Sequence, residues 1–214
     1  MATTPGAADD WMARVPPGTE ARVRTLLTGR RVVVKLSRPR RSKLGDHRPP
    51  GRGRPHHRVT VNDDLNPYAF LTTLLHEIAH VTTWERLQPR VRYAPHGRDW
   101  KREFAAILAP FVADAALPED VAAALGDFMR RPAAASCTDR GLVLALARYD
   151  RPAPGLRRVE DLAAGSVFRV ESGRLFRLGP RLRSRYRCFA EPGGQEYRVH
   201  GLSRVAPVGL QSGP

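Results

Sequence analysis

The sequence predicts an α+β protein, with helices through most of the first 150 residues and short strands in the remainder. Three observations support this. Apolar residues recur at helical spacing in several segments before residue 150, β-branched runs flank an early basic stretch, and five short strand-like runs follow a Pro- and Gly-rich segment. A chain of 214 residues, 42% of them hydrophobic, is long enough for one core and a small appended module.

The first predicted elements are a helix and two strands. "GTEARVRTLLTGR" (18–30) predicts a short helix that ends near Gly29, and the β-branched "RVVVKLS" (31–37) predicts a strand. The segment 38–57 is rich in Pro, Gly and Arg, which predicts a long exposed loop or an irregular hairpin. "RVTVN" (58–62) alternates apolar and polar residues, as a strand does.

The most regular pattern begins at Asn66, which can cap a helix that takes Pro67 in its first turn. That helix continues to Trp84, and its apolar stripe consists of Phe70, Leu74, Ile78 and Val81. Three further helices are predicted over 97–112, 118–129 and 139–149. The first of these should turn inward Trp100, Phe104, Ile107, Leu108 and Phe111.

The predicted organisation has two folded parts, because the Pro- and Gly-rich "DRPAPGLRR" (150–158) is typical of a domain boundary. We expect a small basic β-barrel-like module to follow this boundary. The ranges are a flexible N-terminus 1–17, a mixed domain 18–150, a linker 151–164, the module 165–208 and a flexible tail 209–214.

The net charge of +15 predicts a polyanionic partner, and DNA is the expected one, with single and double strands left open. Residues 30–58 hold eleven Lys/Arg and one acid, and residues from 165 onward hold nine Arg and three Glu. In "RLRSRYRCF" the alternation predicts one all-arginine strand face, and a solvated face in an arginine-rich composition is the alternative. The candidate contacts are Arg40, Arg41, Lys43, Arg48, Arg52, Arg54, Arg181, Arg183, Arg185 and Arg187.

Other classes of protein fit the sequence poorly. Cys137 and Cys188 are too few for a disulfide framework or a four-cysteine zinc site. No segment approaches the ~20 apolar residues of a membrane-spanning helix, so no membrane partner is expected. The N-terminus lacks a signal-peptide pattern. We therefore expect a cytoplasmic protein, with nucleoid association as an option and a monomer assumed.

The chemistry is concentrated in "HEIAH" (76–80). His76 and His80 are four residues apart on a predicted helix, so both imidazoles project from one face and can supply two corners of a tetrahedral zinc shell. Glu77 lies beside them as the base that would activate a zinc-bound water. The alternative is a pair of ordinary surface histidines on a helix.

The third ligand has two candidates. Position 86 is Arg, which excludes the metzincin spacing. His96, in "PHGRDW", lies where a turn would return its imidazole to the first helix, whereas Glu103 is the kind of ligand that some zinc peptidases use. We favour His96, and we expect His47, His56, His57 and His200 to be loop or surface residues.

These residues resemble the SprT-like family of zinc metallopeptidases, which is related to Spartan. The resemblance covers residues 18–150 and is carried by "VTVNDDLNPYAFLTTLL" (59–75), "HEIAH" (76–80) and "PHGRDW" (95–100). It implies a zincin-like fold with an N-terminal helix, a small sheet, the HExxH helix and following helices. It also implies one Zn²⁺ on His76, His80 and His96 with Glu77 as general base.

The resemblance further implies cleavage of proteins on DNA, including DNA–protein crosslinks, with a protein as substrate. Many members carry a four-cysteine zinc ribbon after the protease domain, and this chain departs from that pattern. If the strand "HRVTVN" (57–62) lies at an exposed edge over the cleft, it could hold an extended substrate by β-addition. The rival hypotheses are a nucleic-acid-binding protein with a structural or catalytically weak metal site, and a peptidase without a DNA partner.

Overall fold

The computed structural model describes residues 10–40, 43–87, 94–130 and 139–209, and it has mixed α and β structure. The chain divides into two compact units between Arg151 and Pro152. None of the helices described is long and apolar enough to cross a membrane.

Within its described residues, the first unit contains five α-helices and three strands. The helices are α1 (Glu20–Leu27), α2 (Pro67–Leu87), α3 (Arg98–Val112), α4 (Glu119–Arg130) and α5 (Arg140–Ala147). The strands are β1 (Val32–Ser37), β2 (Gly45–Arg48) and β3 (His57–Asn62). These bounds confirm the predicted helices and the strands at 31–37 and 58–62. Segment 38–57 is the irregular hairpin rather than a plain loop, because it contains β2.

The three strands form one sheet in the order β1-β3-β2. β3 pairs in parallel with β1 and antiparallel with β2, so it is the central strand. The exposed-edge placement of strand 57–62 is therefore wrong. β3 is central because Val59 and Val61 are fully buried, and the polar β2 occupies the edge instead.

The helix α2 crosses the centre of this unit. Asn66 caps it, because its Oδ1 accepts hydrogen bonds from the backbone N–H of Tyr68 and of Ala69 at 3.1 and 3.0 Å. All four residues of the predicted stripe on α2 are fully buried, and so are Trp100 and Leu108 of α3. Both predicted apolar faces are confirmed, and together they form the core that fixes the position of α2.

The N-terminal range expected to be flexible contains buried residues. A 3-10 helix spans Asp10–Arg14, and Trp11, Met12 and Val15 belong to the core of the first unit. The Arg14 side chain also donates a hydrogen bond to the carbonyl of Asp63. Burial of large apolar side chains explains the difference. Residues 1–9 of that range, and 210–214 of the expected tail, lie outside the described residues.

The second unit is a six-stranded sheet in the order β4-β9-β5-β6-β7-β8. Its pairings are all antiparallel. The strands are β4 (Arg157–Arg158), β5 (Val167–Arg169), β6 (Leu175–Arg181), β7 (Arg185–Glu191), β8 (Glu196–His200) and β9 (Arg204–Pro207).

The second unit begins earlier than the sequence predicts. Segment 151–164, expected to be a linker, contains β4 and a 3-10 helix at Val159–Asp161. Val159 is fully buried in a core with Phe168, Phe176 and Cys188. The Pro and Gly residues therefore indicate an irregular stretch only before β4, and the rest of the segment is folded.

Candidate metal centre

Three histidine side chains of the first unit converge on one point. The Nε2 atom of His76 lies 3.3 Å from that of His80 and 3.0 Å from that of His96, and the remaining pair is 3.1 Å apart. Within the described ranges, these residues are the one group of three or more His, Cys, Asp or Glu side chains that could hold a metal ion.

The geometry of this triangle fits a small tetrahedral cation. Nitrogen ligands at 2.0–2.1 Å from a tetrahedral zinc lie about 3.4 Å apart, close to the three distances found. Three nitrogen lone pairs this close repel one another unless a positive charge lies between them. The residues present therefore fit a divalent metal, and three ligands leave a fourth position open.

Local structure explains why His76 and His80 meet. His76 and His80 are one helical turn apart on α2, so their rings lie on the same face. Trp100 lies fully buried against this face, with its ring centroid 4.6 Å from that of His76 and 5.3 Å from that of His80. The indole thus forms an apolar wall beside the cluster.

The third histidine of the cluster comes from the turn before α3. His96 has φ of +60°, the one positive φ outside glycine among the described residues. That backbone region is unfavourable for a side-chain-bearing residue, and such strain concentrates at functional sites. Gly97 makes the turn possible, because a Cβ atom there would lie 2.9 Å from the carbonyl oxygen of Ala94.

Glu103, the alternative third ligand, lies in a different interaction. Its Oε1 is 2.8 Å from Nε of Arg86, whose NH2 group is 3.1 Å from Asp99. The carboxylate is therefore engaged by an arginine, and His96 occupies the third position of the cluster.

The three imidazoles are held in the neutral form. Burial, with a smaller effect of His96, lowers the pKa of His76 to about 3. Burial and the neighbouring histidines lower the pKa of His80, and burial with the charge of Lys101 lowers that of His96. At neutral pH each ring therefore offers a lone pair, which is the form that binds a metal.

Glu77 lies next to the cluster and is also buried, with 6% of its surface exposed. Burial and the nearby carboxylate of Asp46 raise its pKa to about 8, while Arg40 and Lys43 act in the opposite direction. A carboxyl group with a raised pKa near neutrality is suited to take and return a proton.

Strand β2 lies directly over Glu77. A Cβ atom at Gly45 would be 2.5 Å from Glu77 Oε1 and 2.8 Å from the Thr73 side chain, so a larger residue there would have to displace these side chains. Alternate residues of a strand share a face, so His47 also faces α2. Its ring is parallel to that of His80 within 4°, with centroids 6.1 Å apart.

His47 and His57 are functional-site neighbours that the sequence interpretation missed. His57 is 3% exposed on β3, and its Nδ1 is 2.9 Å from Nε2 of His47. The expectation that both are loop or surface residues is wrong, because each belongs to a strand of the sheet. The alternation of His57 with Val59 and Val61 was the available signal for its burial.

The basic candidates of residues 38–57 are mostly engaged within the chain. Lys43 and Arg48 both bind Asp46, at 2.6 and 3.1 Å, and Arg54 donates to the carbonyl of Pro49 at 2.5 Å. Arg40 donates from Nε to Asn62 and from NH1 to Thr60. Arg52 is exposed. Arg41 lies outside the described residues.

The four arginines of "RLRSRYRCF" do not share one strand face. The register shifts between Leu178 and Arg181, and Arg183 lies between the two strands. Arg185 and Arg187 lie on the same face of β7. Arg177, which is opposite Phe189, and Arg198, which is opposite Arg187, lie on that face as well. We call Arg177, Arg185, Arg187 and Arg198 the arginine face.

The site therefore belongs to an α+β protein with a three-histidine cluster that could hold a metal ion. Comparison of the chain with protein-family models, with curated proteins and with solved structures finds no match.

Proposed function

We propose that the first unit is a zinc-dependent peptidase of SprT-like type with a zincin-like fold. The observation that carries the proposal is the convergence of the three Nε2 atoms beside a buried carboxylate with a raised pKa. A structural zinc site is normally closed by four protein ligands. Three ligands and an adjacent acid favour a catalytic site over the structural one of the rival hypothesis.

Each residue has a defined role in this proposal. His76, His80 and His96 hold the ion, which when bound supplies Lewis acidity toward water and a peptide carbonyl. Its positive charge also favours the carboxylate form of Glu77. Glu77 accepts the proton of the attacking water and returns it to the amine that leaves when the peptide bond breaks.

The edge strand offers a place for an extended substrate. β2 pairs on one side with β3, and none of the other strands described here pairs with its outer side. Its backbone groups are therefore free to hydrogen-bond a peptide added as a further strand. The same strand covers Glu77 through Gly45, so a peptide on this edge would lie close to the proposed base.

The arginine face supports a nucleic-acid partner for the second unit. Arg187 lies directly opposite Arg198 in the sheet, and like charges in this position repel. Arg187 is offset by Glu196 at 3.2 Å and Arg177 by Glu191 at 2.5 Å. Within the described residues, Arg185 and Arg198 form no ion pair, so they are available to phosphates.

These observations together support a peptidase that acts on DNA-associated proteins or on DNA–protein crosslinks. The experiment compares wild type with Glu77→Gln, each incubated with a DNA-binding protein alone, with single-stranded DNA and with double-stranded DNA. Metal content is measured on the same samples. The amide keeps the size of the side chain and removes its ability to accept a proton.

We expect one zinc in both proteins and DNA-stimulated cleavage in wild type alone. Cleavage that is indifferent to DNA would retain the peptidase and reject the nucleic-acid partner. Equal cleavage by Glu77→Gln would reject the assigned base. Full zinc without cleavage, across a panel of DNA-bound proteins, would favour the nucleic-acid-binding alternative.

A further inference from the structure

The hydrogen-bonded pair of His47 and His57 has no role in the mechanism above. The two rings are joined by an Nε2–Nδ1 distance of 2.9 Å, with centroids 5.1 Å apart. Burial is the main cause that lowers the pKa of both groups, to about 4 for His47. Two neutral imidazoles can share one proton in a bond of this length.

One end of the pair lies against the metal cluster. His47 is stacked parallel to His80, one of the three histidines of the cluster. His47 shares its strand face with Gly45, which contacts Glu77. Any displacement of His47 therefore affects the part of β2 that covers the ligand helix.

The other end of the pair is anchored on the same helix. The ring of His57 packs edge-on against Trp84, with centroids 4.9 Å apart and an angle of 85°. Its Nε2 faces Glu85 Oε1 at 3.8 Å, and the second oxygen of Glu85 accepts a hydrogen bond from Arg30 Nε at 2.9 Å. The contacts therefore run from His80 through His47 and His57 to Trp84, which lies one turn after His80 on α2.

We propose that His47 and His57 are positioning residues of the metal centre, which fix the His80 imidazole and hold β2 against α2. This inference rests on the proposed metal site, but not on peptidase activity. Residues that support a ligand from outside the coordination shell commonly change metal affinity or activity by about 10- to 100-fold when removed.

The experiment measures zinc affinity by competition with a chromophoric chelator. Three variants separate the contributions of His47. His47→Ala removes the ring, His47→Phe fills the space without a nitrogen, and His47→Gln retains an amide nitrogen near the position of Nε2. His56→Ala is the control, because His56 is next to His57 in the sequence but takes part in neither the His47–His57 nor the His47–His80 ring contact.

We expect zinc affinity to fall about 10-fold or more in His47→Ala and His47→Phe, to recover in His47→Gln, and to be unchanged in His56→Ala. Wild-type affinity in His47→Phe would overturn the inference, because the ring volume alone would then suffice. Failure of wild type to bind zinc would instead reject the metal site itself. If the alanine variant does not fold, the Phe and Gln variants still decide the question.

Discussion

The two units of the chain place their ionisable side chains in opposite ways. In the first unit, three histidines and Glu77 are drawn together, with His76 and Glu77 buried and His80 and His96 half-buried. Burial lowers the histidine pKa values and raises that of Glu77. In the second unit, the arginine face is exposed on a small sheet. The buried cluster is suited to catalysis at a single site, and the exposed arginines are suited to attract an extended polyanion.

This comparison shows that charge count and charge placement carry different information. The exposed arginines contribute to the net charge of +15, whereas burial lowers the pKa of each histidine in the cluster and so favours its neutral form. Substitutions in the first unit should therefore have large effects at specific atoms. Substitutions in the second should have small, additive effects that depend on salt.

The largest expected effect is that of His80→Ala. His80 is the histidine of the cluster whose ring is stacked on His47 of β2, and its removal leaves two ligands for the ion. We expect bound zinc to fall below one tenth of an equivalent after dialysis, with cleavage reduced by roughly 1,000-fold or more. Metal analysis of the purified protein measures the first, and retention of a full equivalent would contradict the assignment.

The next largest effect is expected for Gly45→Ala. The added Cβ would meet Glu77 Oε1 at 2.5 Å, so the carboxylate must move while the three ligands remain. Misplacement of a reacting group by about 1 Å can reduce the rate by about 100-fold. We expect a loss of that order in the cleavage rate with normal zinc content.

Gly51→Ala is the matched control for Gly45→Ala, because no atom lies within 4 Å of a Cβ placed there and its φ is not positive. It should cleave at the wild-type rate. A Gly45→Ala rate within twofold of wild type would show that Glu77 does not need its observed position.

The pH dependence of stability gives a smaller effect. The pKa of His76 is lowered from 6.5 to about 3, so below pH 6.5 the unfolded chain binds more protons than the folded one. Stability of the metal-free protein should therefore fall as the pH falls through 6.5. Between pH 7 and pH 5, His76 alone corresponds to about 2 kcal/mol in the free energy of unfolding.

Urea unfolding of the chelator-treated protein at pH 7 and pH 5 measures this change. His76→Gln should show a smaller decrease than wild type over the same interval. An equal decrease in both proteins would contradict the burial of a neutral His76.

The smallest effect is expected on the arginine face. Arg185→Gln with Arg198→Gln removes two exposed charges on one face, so we expect weaker DNA binding and a salt slope reduced by about 1 to 2. Arg157→Gln is the control, since Arg157 is an exposed arginine of β4, at the edge of the sheet opposite β8. A double variant whose effect is no more than twice that of the control would indicate non-specific attraction to the net charge.

The features predicted from sequence are those fixed by local pattern. The helix α2 is periodic and has a capping residue, so His76, Glu77 and His80 could be placed on one helix in advance. His96 could be proposed because Gly97 and Pro95 mark a turn before the next helix.

The features missed depend on tertiary contacts. The residues "GDHR" of β2 carry no strand pattern, and they form a strand because β3 supplies hydrogen bonds and α2 a surface to cover. The positions of His47 and Gly45 follow from that pairing. In the second unit, the register shift after Leu178 separates Arg181 from the face that simple alternation predicted.

The central claim is an open zinc site with three histidine ligands, and X-ray absorption at the zinc edge tests it most directly. The account predicts one zinc per chain with three imidazole nitrogens and one oxygen in the first shell, at about 2.0 to 2.1 Å. His96→Ala should reduce the imidazole contribution. A shell closed by four protein ligands, or one that contains sulfur, would contradict the account and favour a structural metal.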